Sequence, residues 1–165
     1  MASGIRIIHS GNIAKVTLHS VPDEPGIAAG IFSQLGNYGI SVELISQTSA
    51  KTRETDISFA VVKIDLGQVV SLFQRIKDTV GAKRISFDRD MAMISIYGSD
   101  LGTQSGVAGK IFSALAAKGV NIEMISTSLS SITCVVANMK SKAALEALNA
   151  LFEDAQHLSD ESLSK

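Results

Sequence analysis

Two carboxylates, Asp23 and Glu24, stand side by side in "SVPDEPGIAA". Acid–base catalysis needs two such groups facing one another across a cleft, and adjacency along the chain does not arrange that. A different use suits the spacing. The stretch leaves an alternating strand pattern and enters a helix, and the first backbone N–H groups of a helix lack internal partners, which makes them a carboxylate site. Gly26 lets a ligand approach the backbone closely. Asp23 is then placed to take an ammonium or a hydroxyl, and an amino acid carries those two poles a few atoms apart. Later in the chain "LGTQSGVAG", with Gly106 and Val107, makes the same turn.

Other chemistry lacks its residues. His9, His19 and His157 are scattered and there is no CxxC pair, so no metal site is expected. His19, at a strand end, is read as facing solvent. Cys134 is the only cysteine and lies in the strand-like "SITCVVA", which points to a buried, inert thiol. No phosphate-binding GxxxxGK[ST] loop, no strand–GxGxxG–helix and no GxSxG elbow appears, so no cofactor is expected. Fifteen Lys and Arg against sixteen Asp and Glu leave a net charge of −1, which gives nucleic acid nothing to hold. Tryptophan is absent and tyrosines number two, so base-stacking platforms are poorly supplied. No apolar run reaches the ~18 residues a membrane span needs. The N-terminal "MASGIRIIHSGN" lacks the apolar core of a signal peptide, so a cytoplasmic protein is expected.

The elements that position these turns follow from periodicity. "KVTLHS" alternates as a half-buried strand. Ile27, Ala28, Ile31, Phe32 and Leu35 mark one helix face, with Pro25 near its start and Gly39 at its end. "ISVELIS" and "DISFAVVKI" read as strands joined by a hairpin over 47–55. Leu66, Val69, Val70, Phe73 and Ile76 mark a second helix, and "AKRISFD" a fourth strand. The order then repeats: "MAMISIY", a helix from Val107 to Leu115 with Ser105 as candidate N-cap, "VNIEMIS", "SITCVVA", and a helix marked by Leu145, Leu148 and Phe152.

The repetition is written in the residues. Gly26, Phe32, Gly39 and Glu43 return as Gly106, Phe112, Gly119 and Glu123, each displaced by 80 positions. That is the length of a small domain, and 45% hydrophobic residues supply two cores. Strand–helix–strand–strand–helix–strand is the split βαβ, or ferredoxin-like, unit, an α+β fold with an antiparallel sheet and helices on one face. The second copy lacks a last strand after Phe152, and a spare apolar stretch, Ile5 to Ile8, sits at the other end of the chain. The expected organisation is a first domain, 12–88, inserted into a second made of 4–9 plus 89–155, with a disordered tail over 156–165.

"VPDEPGIAAGIF" followed by "ISVELISQTSAKTRETDISF" resembles the first ACT domain of aspartate kinases. "SGVAGKIFSALAAKGVNIEMISTS" resembles the second, "NIEMIST" being its most specific string, and "GIRIIHSGNIAKVTL" resembles the connection entering the pair. The resemblance spans roughly residues 4–155. It implies an allosteric regulatory module that binds end products of the aspartate pathway to lysine, threonine and methionine, with threonine and/or lysine as effectors and feedback inhibition as the result. The family's kinase domain and its "KFGGTS"-type motif are absent from this chain. The module is therefore not expected to phosphorylate aspartate, and its implied partners are an aspartate kinase catalytic subunit or domain and a second copy in a homodimer.

Carried over from the family, Asp23 would hold the effector's ammonium or hydroxyl, and the backbone of Gly26, Ile27 and Ala28 its carboxylate. Gln47 would contact it from a strand end, while Asn121 and Ile122 would close the site from a second copy. Gly106, Val107, Ser126 and Thr127 would line a counterpart site. Where the family often has "SHPG", "STSEIKIS" and "VQN", this chain has "TQSG", "STSLSSITC" and "SQT". The first two weaken the counterpart site, and the third leaves the choice between threonine and lysine open. The competing reading is a stand-alone ACT pair serving as sensor or dimerisation module for another partner. An enzyme on the same scaffold would need the motifs that are missing.

Overall fold

The computed structural model describes residues 4–49, 53–99, 101–152 and 156–159, with side chains described for all of these except 49, 64–69 and 156–159. The elements are β1 (Arg6–Pro22), α1 (Ile27–Asn37), β2 (Val42–Ser49), β3 (Glu54–Val62), α2 (Lys63–Val80) and β4 (Arg84–Tyr97). They continue with α3 (Val107–Ala117), β5 (Ile122–Thr127), β6 (Ser131–Ala137), a 3-10 turn (Asn138–Lys140), α4 (Ser141–Leu151) and β7 (Gln156–Ser159). The chain divides into two compact units, Asn12–Arg89 and Met1–Gly11 with Asp90–Lys165. Each is α+β, ferredoxin-like, with two helices and antiparallel main strands.

In the unit Asn12–Arg89 the strands lie in the order β2-β3-β1-β4. Alternation on β1 sends Val16 and Leu18 inward, where they meet Phe59 of β3 and Ile31 and Leu35 of α1. Phe32, Phe59, Phe73 and Phe87 stack in sequence, with centroids 5.4, 5.6 and 5.6 Å apart. Helix α1 buries Ile31 and Leu35, but Ala28, expected on that face, is exposed. Helix α2 uses Leu72, Phe73, Ile76 and Val80, and leaves Val70 exposed. The side chains of Leu66 and Val69 lie outside those described. Gly39, at φ 70°, ends α1: its N–H donates to Gly36 C=O (2.9 Å) and that of Ile40 to Leu35 C=O (3.0 Å). This left-handed stop requires glycine's freedom. Gly119, at φ 64°, repeats it after α3.

In the other unit the order is β7-β1-β4-β6-β5. Ile5 and Ile7 are buried with Ile94, Ile96, Ile111, Leu115, Cys134 and Leu148. The Arg6 guanidinium lies 5.2 Å from the centroid of the Tyr97 ring.

Three expectations are corrected. The segments read as separate strands, "IRII" with "KVTLHS" and "AKRISFD" with "MAMISIY", are the continuous strands β1 and β4. No proline stands in either join, and Gly11 is accommodated in extended backbone. The segment read as a disordered tail from residue 156 begins with a strand, Gln156–Ser159, paired in parallel with Arg6–His9. An open strand edge offers unpaired N–H and C=O groups, and four residues satisfy them without any apolar alternation to announce it. Residues 160–165 lie outside those described. Ser105 does not cap α3: the N-cap is Gly106 at φ 85°, with no side-chain cap bond.

Candidate functional site

The turn from β1 to α1 is built on backbone. Asp23 N–H donates to Arg53 C=O (2.9 Å), Glu24 N–H to Pro22 C=O (3.1 Å) and Ile27 N–H to Glu24 C=O (3.4 Å). Gly26, at φ 96°, is the N-cap of α1. No side chain caps this helix, and its first turn holds no acidic residue, so its positive end is not neutralised from within. A Cβ placed on Gly26 would meet nothing within 4 Å, so the space beside the backbone is open. Asp23, Gly26 and Ala28 are exposed, and Ile27 is half-buried against the core.

The strand feeding this turn carries an irregularity. Leu18 is paired with Ile57 but Val21 with Thr55, so His19 and Ser20 together face Asp56 alone. This is a β-bulge. Ser20 holds a left-handed conformation, φ 52°, and its N–H donates to Asp56 Oδ1 (2.8 Å). The other carboxylate oxygen, Oδ2, accepts from His19 Nδ1 (3.1 Å), and His19 Nε2 lies 2.9 Å from Ser86 Oγ on β4. The Ser20 N–H, followed by His19, holds the Asp56 carboxyl below its ordinary range. Close by, Lys83 Nζ pairs with Glu54 Oε1 at 2.6 Å and pulls that carboxyl down as well. His19, expected to face solvent, is instead fixed between two strands with its side chain 23% exposed. Sequence reasoning missed this cluster. Its trace was the spacing of Val16, Leu18 and Val21, where strict alternation would have put an apolar residue at 20.

Gln47 lies exposed on β2, with Ile57 as its cross-strand partner and Thr48 next to it opposite Asp56. The sheet order therefore puts Gln47 at the same end as the Asp23 turn, two strands across. In the second unit, Thr127 pairs with Ile132, which in turn pairs with Ile96, so Ser126 and Thr127 share a sheet end with the turn that leads to Gly106 and Val107. Ile122 pairs with Val136, which in turn pairs with Ala92, so Asn121 and Ile122 lie at the opposite end. Asn121 donates from Nδ2 to Glu123 Oε1 (2.8 Å). In the turn before α3, Gly102 N–H donates to Leu129 C=O (2.9 Å), and Leu101 is buried as Val21 is in the first. Thr103 stands where the shift of 80 places the counterpart of Asp23.

Burial pushes the Cys134 thiol up to about 11. Among the described residues no group of three or more His, Cys, Asp or Glu could hold a metal ion. Nor, among them, is any helix long and apolar enough to cross a membrane.

The ACT domain family matches residues 16–81, and a further ACT domain family matches residues 94–152. The regulatory subunit of aspartate kinase from Thermus thermophilus, in its ligand-free form, superposes with a TM-score of 0.82 at 30% identity, covering 92% of this chain and 98% of that one. The chain belongs to the aspartate kinase family. A chain from the structure of aspartokinase alpha and beta subunits matches at 31% identity and a TM-score of 0.82, covering 93% of this chain and 99% of that one. Aspartate kinase of Stutzerimonas stutzeri is 34% identical over 140 residues, which is 85% of this chain and 34% of that protein. The chain thus spans about a third of such a full-length aspartate kinase, and the two ACT domains it carries are the regulatory, non-catalytic part.

Proposed function

We propose that this ACT pair is the allosteric module of an aspartate kinase, binding threonine and/or lysine to bring about feedback inhibition of the aspartate pathway in the cytoplasm. The observation that carries the reading is the opening of α1. A helix N-terminus with no side-chain cap follows a left-handed Gly26 with open space beside it, and Asp23 stands three residues before that glycine. The effector carboxylate sits on the amides near Gly26, Ile27 and Ala28, and its ammonium or hydroxyl meets Asp23. Gln47 completes the site from the same sheet end, and Asn121 and Ile122 of a second copy close it. The counterpart around Gly106, Val107, Ser126 and Thr127, with a threonine in place of the aspartate, is the weaker of the two.

The same reading assigns 12–88 to an inserted ACT domain and 4–9 plus 89–155 to its host. It makes the chain a homodimer that acts on a kinase catalytic subunit or domain. The outermost strands β2 and β5 each expose an isoleucine at the same repeat position, Ile45 (52%) and Ile125 (45%), which suits pairing with another copy. Sedimentation that shows only monomer, with and without amino acids, removes the dimer.

Calorimetric titration with threonine and lysine, separately and together, tests the site. Binding by the parent chain is expected, and Asp23→Ala should weaken it by roughly 1.5–3 kcal/mol, as for a lost charged hydrogen bond. Asp23→Ala and Gln47→Ala variants that both bind as the parent does would place the site elsewhere.

A further inference from the structure

We propose that Asp56 is the positioning residue of the effector turn: its carboxylate holds Ser20 left-handed, and the bulge so fixed delivers Asp23 and the start of α1. The role rests on the effector reading above, but its structural half stands by itself. One extra residue on a strand reverses which side chains face which way beyond it. Leu18 is in the core and, because of the bulge, so is Val21 instead of Ser20. Two residues further on, Asp23 donates its N–H to Arg53 C=O. Without the extra residue, the chain would enter the turn with the opposite parity.

A bulge with a left-handed residue ordinarily uses glycine there. Here the residue is serine, which resists that conformation. Asp56, the one residue opposite the bulge, supplies the compensation by accepting from the Ser20 N–H at 2.8 Å. Its orientation is set in turn. His19 Nδ1 donates to the second oxygen, and Ser86 Oγ fixes the far side of the imidazole, so the chain Ser86–His19–Asp56–Ser20 crosses β4, β1 and β3. The charge of Arg84 on β4 also favours the Asp56 carboxylate, while Glu54 on β3 pairs with Lys83 and bonds to the Ser20 side chain, leaving the Ser20 N–H to Asp56.

The test uses the full chain with Asp56→Ala, Asp56→Asn, and Asp56→Ala combined with Ser20→Gly. Amide exchange by NMR at Ser20 and Asp23 reads the turn directly, and titration with threonine and lysine reads its consequence. Asp56→Ala should expose the Asp23 amide to exchange and weaken amino-acid binding about tenfold, the loss of one charge-assisted hydrogen bond. Asp56→Asn, which keeps an oxygen for the Ser20 N–H, should retain most of both. Adding Ser20→Gly to Asp56→Ala should restore Asp23 protection and binding, because glycine takes the left-handed conformation unaided. Unchanged Asp23 protection in Asp56→Ala overturns the proposal. So does a loss that glycine fails to restore, since Asp56 would then act through general stability or charge. A parent chain that binds neither amino acid refutes the effector reading instead, and the exchange data still decide whether Asp56 positions the turn.

Discussion

The hydroxyls of Ser95 and Thr133 lie 2.9 Å apart on directly paired positions of β4 and β6. In the first unit Thr17 and Ser58 repeat the contact at 2.9 Å on paired positions of β1 and β3, with serine and threonine exchanged between the strands. A hydroxyl both donates and accepts, so either order satisfies the pair. Ser95 and Thr17 are each only 6% exposed. Ser95→Ala should therefore cost about 1–2 kcal/mol in urea denaturation, largely because Thr133 loses its partner. The double variant Ser95→Ala with Thr133→Val should cost less than the sum of the two single changes. Strict additivity would show that the pair contributes nothing as a pair.

Ile7 is 1% exposed in the core that also holds Ile94 and Ile111. Ile7→Ala should destabilise that unit by roughly 2–5 kcal/mol, the range for a large aliphatic truncated in a core. Amide exchange should show lost protection across residues 90–152 and a smaller change across 12–89. Equal losses in both would mean that the N-terminal segment serves the two units alike.

Because Asp56 is held below its ordinary range in the folded state, the stabilisation it gives is present above that range and is lost as pH falls through the depressed value. The urea midpoint of the parent should fall as pH drops below about 4, where an unfolded aspartate takes up its proton. Asp56→Asn should show a shallower fall, the remainder including Glu54, which Lys83 holds low. Identical pH profiles for parent and variant would show that the Ser20 contact has no weight in folding.

With its thiol raised to about 11 by burial, Cys134 is protonated at neutral pH and out of reach. A maleimide at pH 7.5, roughly a unit below an ordinary thiol, should label it slowly in the native chain and rapidly in denaturant. Fast native labelling would mean that β6 opens readily.

The duplicated fold was legible because its determinants are local. Ile31 and Leu35 fall on one helix face, Gly39 and Gly119 stop helices that end alike, and Val16 and Leu18 alternate. The Asp23–Gly26 turn was legible for the same reason. Asp56 was not: it lies 36 residues from Ser20, and the bond between them depends on strand register, which no short stretch encodes. Ala28 and Val70 were placed on buried faces by periodicity alone, and both are exposed, because the neighbouring elements cover only part of an apolar stripe. The strand at Gln156–Ser159 left no trace because only its backbone pairing defines it.

The first residues of β1 belong to the unit completed by Asp90 onward, whereas the rest of β1 belongs to Asn12–Arg89. On a ribosome this separates synthesis from burial. Every residue of the Asn12–Arg89 unit has been made before β4 reaches Ile94, whereas Ile7 must wait for Ile94, Ile111 and Leu148 before its pocket exists. Ile5 and Ile7 are thus made before the segments that cover them, and through that interval they are open to any chaperone that binds short aliphatic stretches.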